Sequence, residues 1–129
     1  GTHSKCFHTV TNRLLFNIIS NSIKYKQPGS AVSIQIKASE VKGIEIKERD
    51  AEPNGRYLKL TVSDNGLGFD QQNANKIFNI FQRLNSSAAS KGSGIGLAIC
   101  KRIVQNHHGF IQATGIENKG ARFDIFLPL

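Results

Sequence analysis

Cysteine is scarce in this sequence of 129 residues: it occurs twice, as Cys6 and Cys100, and the two form no Cys-x-x-Cys pair. This usage is typical of a protein from a reducing cytosol, and it predicts that Cys100 is a small core residue. No stretch approaches the roughly 20 consecutive apolar residues of a membrane-spanning helix, and the first residues lack the apolar run of a signal peptide. We therefore expect a cytoplasmic domain that itself makes no membrane contact, whether or not its parent protein is membrane-anchored.

Acidic residues are also few, because 9 Asp and Glu face 17 Lys and Arg, which gives a formal net charge of +8. Such a balance fits a nucleic-acid binder, a site for a polyanion such as ATP, or a solvated basic surface. The lysines are scattered rather than clustered, which favours the solvated surface for most of them and argues against a nucleic-acid partner. The four histidines lack the spacing of metal ligands, so no structural zinc site is expected.

The length suits one domain over residues 1–129, with residues 1–8 expected to be partly tag or linker. A turn-rich stretch over 50–56 contains Asn54-Gly55 and favours a hairpin. The order of elements predicts an α+β fold, a two-layer sandwich in which helices cover one face of a mixed, mostly antiparallel sheet. Hydrophobic periodicity predicts helices over about 9–25, 73–84 and 95–107, and strands over 31–38, 43–48, 57–64, 110–115 and 121–127.

Three polar residues interrupt the first predicted helix, which is otherwise strongly apolar. Asn17, Asn21 and Lys24 stand at i, i+4 and i+7 and therefore share one face. An amide oxygen suits a hard cation and a lysine suits phosphate oxygens, so this stripe can meet an Mg²⁺-bound triphosphate. A solvated helix face is the alternative interpretation, and for the stripe taken alone it is the favoured one.

A carboxylate followed by glycines comes directly after a predicted strand, in Asp64-Asn65-Gly66-Leu67-Gly68. A carboxylate at a strand end can accept a hydrogen bond from an exocyclic amine, and glycines allow a flat ring to approach the backbone closely. An ordinary Asp-containing turn is the alternative.

Two further features lie around a polar loop over 85–94. Gly92, Gly94 and Gly96 open the last predicted helix, where exposed N–H groups and the helix dipole suit phosphate. They match neither the dinucleotide-binding fingerprint nor the P-loop. Before the loop, Phe78 to Arg83 places an arginine that can close on phosphate as the loop orders, with a plain surface arginine as the alternative.

In this order, the four features resemble the ATP-binding domains of sensor histidine kinases, within the superfamily shared with gyrase, heat-shock chaperones and mismatch-repair ATPases. Residues 14–25 are similar to the family's asparagine box, 64–69 to its first glycine box, 77–83 to its phenylalanine box and 92–99 to its second glycine box. Each box is weak alone, and all four in order are highly specific.

The resemblance implies that ATP lies between the helices and a flexible lid over 85–92. It implies that Asn21 coordinates Mg²⁺, that Lys24 contacts phosphate and that Asp64 receives the adenine amino group. The full nucleotide-binding set that it implies is Asn17, Asn21, Lys24, Tyr25, Asp64, Gly66, Gly68, Ile77, Phe81, Arg83, Gly92, Gly94, Ile95, Gly96 and Leu97.

Two absences qualify the expected activity. Hydrolytic relatives carry a glutamate four residues before the Mg²⁺ asparagine, where this chain has Asn17, which cannot act as a base. No histidine is followed by Asp or Glu, so the family's phosphoacceptor is missing. The resemblance therefore implies a monomeric catalytic domain that transfers phosphate from Mg-ATP to a histidine on a separate dimerisation domain, and indirectly serves a response regulator. Alone it should be nearly inactive.

The sequence leaves three alternatives open. One is a non-catalytic nucleotide-sensing or interaction module of the same fold. The second is a hydrolysing ATPase of the wider superfamily, which the missing glutamate disfavours. The third is a nucleic-acid binder, which rests on net charge alone and predicts salt-sensitive DNA binding.

Overall fold

The computed structural model describes residues 2–78 and 95–129. Three short 3-10 helices accompany the regular elements, at Gly43–Glu45, Gln71–Asn73 and Lys76–Phe78. The helices and strands are α1 (Thr2–Lys24), β1 (Ile34–Lys42), β2 (Arg56–Asp64), α2 (Ile95–Asn106), β3 (Phe110–Ile116) and β4 (Gly120–Pro128).

The four strands form one sheet in the order β1-β2-β4-β3, and every neighbouring pair is antiparallel. This agrees with the predicted α+β sandwich, although no parallel pair of a mixed sheet occurs among the described strands. Both helices pack on the same sheet face. The core between the layers is built around the fully buried side chains of Leu14, Ile18, Val62, Cys100, Val104, Phe123 and Ile125.

Strand alternation explains which side chains enter this core. In β4, Phe123 and Ile125 face the helices, while Asp124 and Phe126 face the other way because successive side chains leave a strand on opposite sides. The second face is not wholly polar. A smaller apolar cluster of Ile46, Ala51, Tyr57 and Phe126 covers one end of it.

The strand predicted over 43–48 is wrong. The strand β1 continues to Lys42, and the chain then turns through the 3-10 helix Gly43–Glu45. The turn depends on Gly43, whose N–H donates to the Gly55 carbonyl and on which a Cβ would overlap the Glu52 carbonyl oxygen. The 3-10 geometry also separates the two isoleucines that alternation had placed together: Ile44 is 75% exposed and Ile46 is 7% exposed.

The elements β2, α2, β3 and β4 agree with their predicted bounds to within one residue, whereas the strand predicted over 31–38 is Ile34–Lys42. The helix α1 begins at Thr2, earlier than expected, and the tag or linker assignment of residues 1–8 stays a prediction. The hairpin predicted from Asn54-Gly55 exists as the β1–β2 pair, joined by the longer connection 43–55. The helix predicted over 73–84 is described only to residue 78, and that part contains the 3-10 helix Lys76–Phe78 instead of a regular α-helix.

Candidate nucleotide-binding site

The polar stripe of α1 lies beside its buried face. Leu14 and Ile18 are fully buried, whereas Asn17 and Asn21 are half-buried and Lys24 is exposed in the last turn. The two amide side chains therefore lie at the edge of the core, neither completely buried nor fully exposed to solvent. This position suits side chains that serve a ligand lying against the helix.

The carboxylate of Asp64, at the end of β2, accepts three hydrogen bonds from the protein. Oδ1 accepts from the backbone N–H of Gly66 at 2.9 Å and from that of Ala121 at 3.2 Å. Oδ2 accepts from the hydroxyl of Ser22 at 2.7 Å. Because Ser22 follows Asn21 in α1, this bond joins the asparagine stripe to the glycine-containing turn across 42 residues of sequence.

The turn after Asp64 also lies directly against the C-terminal end of α1. The N–H of Leu67 donates to the Tyr25 carbonyl at 2.9 Å, and a Cβ on Gly66 would stand only 2.8 Å from that oxygen. Gly68 has a φ of +65°, and a Cβ there would overlap the Ile116 carbonyl oxygen. Both glycines are thus needed for close backbone packing, which is a structural reason in addition to the one offered by the resemblance.

The side chain of Gln27 connects the chain just after α1 to the glycine turn and to the turn between β3 and β4. Its Nε2 donates to the carbonyl oxygens of Asn65, Gly66 and Asn118 at 3.2, 3.1 and 2.7 Å. Asn65 in turn accepts from the Ser33 N–H and donates to the Ala31 carbonyl, so the loop before β1 is also attached. The glycine turn is therefore held on several sides by polar contacts.

The helix α2 begins beside Asn17. A Cβ on Gly96, in the first turn of α2, would have the Asn17 carbonyl oxygen as its nearest neighbour, at 3.9 Å. The start of a helix carries unpaired N–H groups and a partial positive charge, which suit an anion. Further along the interface between α1 and α2, the Sγ of Cys100 lies 3.9 Å from the Leu14 carbonyl oxygen. Burial raises the pKa of this thiol to about 12.

The structure thus brings part of the predicted set together. The turn Asp64 to Gly68 adjoins α1 at Ser22 and Tyr25, and Gly96 adjoins Asn17. Ile77 and Leu97 are buried in the core. Ile95 opens α2. The predicted residues Phe81, Arg83, Gly92 and Gly94, and the lid over 85–92, lie outside the described residues. The nucleotide contacts of all these residues stay predictions.

Three residues of this arrangement were missed from the sequence: Ser22, Gln27 and Gly120. Ser22 carried a usable signal, because it follows Leu14 and Ile18 at four-residue intervals and so occupies the core stripe of α1. A polar residue in such a stripe needs a buried partner. Gly120 has a φ of +141° and a Cβ there would overlap the Asp64 carbonyl oxygen, a contact that no local pattern reveals.

The described part of the chain shows neither a cluster of metal-binding side chains nor a membrane-spanning helix. No three His, Cys, Asp or Glu residues whose side chains the structure describes, within 8–78 and 96–129, are grouped so that they could hold a metal ion. None of the helices described there has the length and apolar character needed to cross a membrane.

Comparison with protein families identifies the fold. The family described as histidine kinase-, DNA gyrase B-, and HSP90-like ATPase matches residues 9–129. The chain belongs to this family. The histidine kinase ATP-binding domain inferred from the four boxes is thereby confirmed.

Two relatives of this ATPase domain are sensor proteins. The chain is 33% identical over 122 residues to the sensor protein RprX of Bacteroides fragilis, which covers 93% of this chain and 21% of RprX. It is 35% identical over 118 residues to the sensor histidine kinase WalK of Bacillus subtilis, which covers 90% of this chain and 17% of WalK. The chain thus spans about a fifth of each relative.

Solved structures of the family agree with the fold. The mycobacterial sensor histidine kinase MprB superposes with a TM-score of 0.71 at 25% identity, covering 93% of this chain and 72% of that one. The catalytic domain of the histidine kinase ThkA gives a TM-score of 0.66 at 24% identity, covering 93% and 66%. The α+β sandwich predicted for this ATPase domain is therefore confirmed.

Proposed function

We propose that this domain binds Mg-ATP and presents the γ-phosphate to a histidine on a separate dimerisation and phosphoacceptor domain of its parent protein, in two-component signal transduction. The observation that carries the proposal is the hydrogen bond between Ser22 and Asp64. It holds α1, with its polar stripe, next to the carboxylate proposed to accept a hydrogen bond from the adenine amino group. Family membership supplies the chemistry of the ligand. Residue roles in this proposal come from the matching boxes, and the contacts described above support them.

The residues present fit a magnesium nucleotide. The half-buried amides of Asn17 and Asn21 offer oxygen ligands of the kind that Mg²⁺ accepts, and in this proposal Asn21 holds the ion. The ion neutralises phosphate charge when it is bound. Lys24 is exposed at the end of the same stripe and its ammonium can meet phosphate oxygens. The start of α2, beside Asn17, adds the partial positive charge of a helix N-terminus, which also favours phosphate.

Transfer, rather than hydrolysis, follows from the side chain at position 17. An asparagine amide cannot remove a proton from water, so this domain lacks the base that a hydrolytic relative would place there. Phosphoryl transfer depends chiefly on alignment and charge neutralisation, which a binding domain can supply while the nucleophile comes from its partner. The response regulator then acts after the phosphohistidine and need not touch this domain.

The first experiment is a calorimetric titration of the purified domain with Mg-ATP. We expect a Kd in the micromolar range or weaker, which corresponds to about −8 kcal/mol or a less favourable value. Asp64→Asn should weaken ATP at least tenfold because a carboxylate acceptor is replaced in part by a donor. Asp50→Asn, which changes an exposed carboxylate at the far end of the sheet, is the matched control and should bind like the wild type.

The second experiment tests transfer. The domain is mixed with the histidine-bearing domain of its parent protein and γ-labelled ATP, and labelled phosphohistidine is measured. Wild type should label the partner, Asn21→Ala should not, and the isolated domain should release little phosphate. Tight ATP binding with no transfer would instead favour a nucleotide-sensing module, and steady phosphate release would favour a hydrolytic ATPase.

A further inference from the structure

The acceptor capacity of Asp64 is almost fully used inside the protein. A carboxylate has two oxygens and about four lone-pair positions for hydrogen bonds. The N–H groups of Gly66 and Ala121 occupy both positions of Oδ1, and the Ser22 hydroxyl occupies one position of Oδ2. One acceptor position therefore remains, and it belongs to Oδ2.

The donors differ in what they can do. The two donors to Oδ1 are backbone N–H groups, which cannot become acceptors. The donor to Oδ2 is a hydroxyl, which can rotate and accept instead. Ser22 is only 3% exposed, so its hydroxyl has little access to water as an alternative partner. The orientation of the carboxylate is thus set by two fixed donors on one oxygen and one adaptable donor on the other.

We infer that Ser22 is a positioning residue that holds Asp64 so that the site selects a purine with a 6-amino group over one with a 6-oxo group. The inference rests on the proposed function, because it assumes that Asp64 faces the base. A 6-amino group donates to the remaining acceptor position of Oδ2. A 6-oxo group would place an acceptor against an acceptor, and the remaining position of Oδ2 would have no donor.

The same arrangement makes a prediction about an amide at position 64. In Asp64→Asn the backbone N–H groups of Gly66 and Ala121 still require an acceptor, so the amide oxygen occupies the place of Oδ1. The amide NH₂ then takes the place of Oδ2, where the Ser22 hydroxyl rotates to accept one hydrogen. The other hydrogen points where the lone pair was, and the site now offers a donor to the base.

The experiment is a titration of each variant with ATP and with inosine triphosphate, whose base carries a 6-oxo group and a protonated N1 where adenine has a 6-amino group and an unprotonated N1. The readout is the ratio of the two dissociation constants, because a general loosening of the fold weakens both nucleotides alike. Wild type should prefer ATP by roughly a hundredfold. Ser22→Ala should reduce that preference at least about fivefold, mainly by weakening ATP. Asp64→Asn should bring the ratio to one or invert it.

Matched variants isolate the hydroxyl. Ser22→Thr keeps a hydroxyl on the same carbon and should retain most of the preference for ATP. Ser20→Ala makes the same substitution at an exposed position of α1 and should leave both constants unchanged. If Ser22→Ala does not fold, Ser22→Cys, whose thiol is a weaker donor, tests the same hydrogen bond and should also reduce the preference for ATP.

Failures of the inference and of the proposed function are distinguishable. A wild-type domain that binds no ATP would contradict the proposed function. A wild type that binds ATP, with the same ATP preference in Ser22→Ala, would overturn the role of Ser22 alone. An Asp64→Asn variant that keeps the wild-type preference would overturn the fixed orientation at position 64.

Discussion

Near each end of β2, a glycine packs so closely against a backbone carbonyl that no Cβ would fit, but the two contacts support different kinds of structure. At one end, Gly43 lies so close to the Glu52 carbonyl that no Cβ fits, and at the other end Gly68 has the same relation to Ile116. The first close approach lets the connection 43–55 fold back and bury Ile46 and Tyr57 in the smaller apolar cluster. The second one supports a turn whose main partners are polar, among them Asp64.

The difference indicates how stability and binding are divided. Apolar burial, worth roughly 25 cal/mol per Å², stabilises the far end of the sheet, at Gly43 and the connection 43–55. The site end, at Asp64 and Gly68, is instead held largely by oriented hydrogen bonds. Each contributes only about 1 kcal/mol, but together they fix donors and acceptors in place. Substitutions at the far end should therefore change the free energy of unfolding, and those at the site end should change nucleotide affinity as well.

The largest effect is expected from Phe126→Ala at the far end. Phe126 is 4% exposed and packs in the cluster with Tyr57, so the truncation should lower the free energy of unfolding by about 3–5 kcal/mol. Urea denaturation measures this loss. Phe126 stands four positions along β4 from Arg122, which is opposite Ser63, so it lies about 13 Å from the site end. ATP affinity of the folded variant should stay within twofold.

A matched truncation keeps this test specific. Ile44→Ala also removes a large apolar side chain from the connection, but Ile44 is 75% exposed and should cost less than about 0.5 kcal/mol. A large loss of ATP affinity in folded Phe126→Ala would contradict the separation of the two ends.

The next effect is expected from Gly68→Ala at the site end. Two costs combine there: a positive φ that an L side chain resists, and a Cβ that overlaps the Ile116 carbonyl oxygen. We expect a loss of about 2–3 kcal/mol, and weaker ATP because the turn must shift. Thermal unfolding and nucleotide titration measure the two changes.

Gly29 supplies the control because it shares the positive φ, +79°, but has nothing within 4 Å of a Cβ. Gly29→Ala should cost about 1 kcal/mol and leave ATP affinity unchanged. Equal losses in the two variants would show that the close approach at Gly68 has no consequence.

A smaller effect is expected from Gln27→Ala. The variant removes one Nε2 group that donates to carbonyls on the glycine turn and on the β3–β4 turn, so the loss should be about 1–2 kcal/mol. ATP affinity should fall several-fold, since the turn that carries Asp64 loses a support. Gln72→Ala, at an exposed position, is the control and should change neither quantity. Stability lost without any change in affinity would assign Gln27 a purely structural role.

These comparisons also explain which features the sequence could predict. The core faces of β2 and β4 were predicted because period-two alternation directly reports burial, and Val62 and Phe123 are indeed fully buried. The region 43–48 alternates as well, yet it folds as a 3-10 helix because Gly43 packs against residues 52–55, a contact nine or more positions away. Periodicity within one segment contains no information about such a partner.

The candidate site shows the same limit. Asn21 and Asp64 were predicted as site residues because each belongs to a recognisable local motif. Gln27 was not, because its importance comes entirely from three carbonyls that the fold brings together, one of them 91 positions away. Ser22 lay between these cases: its place in an apolar stripe indicated a buried partner, but only the structure identified that partner as Asp64.

Alkaline pH should weaken the packing of α2 against α1 at Cys100. Burial raises the pKa of the Cys100 thiol to about 12, whereas the unfolded thiol ionises near its usual value of about 8.5. The native state therefore holds the proton more tightly, and this stabilisation is complete below about pH 8.5 and is lost progressively up to about pH 12. In a Cys6→Ser background, the advantage of the wild-type thiol over Cys100→Ala should shrink by about 1 kcal/mol between pH 7.5 and 9.5. A constant difference across that range would contradict the burial of the thiol.

Acid pH should weaken the other end of the sheet, and this effect is the smallest. Arg56 bonds Glu40 at 2.9 Å and holds the pKa of that carboxyl below its usual value of 4.5. Because the folded pKa is depressed, the pair stabilises the fold above that value and its contribution is lost as pH falls through the lower, folded value. Both side chains are exposed, so water and salt weaken the pair. The melting temperature of Glu40→Gln should be slightly below that of wild type at pH 7, and the two should converge as pH falls through the lowered, folded pKa of Glu40. Glu117→Gln, at an exposed turn, should show no such convergence, and ATP affinity should be the same in all three proteins.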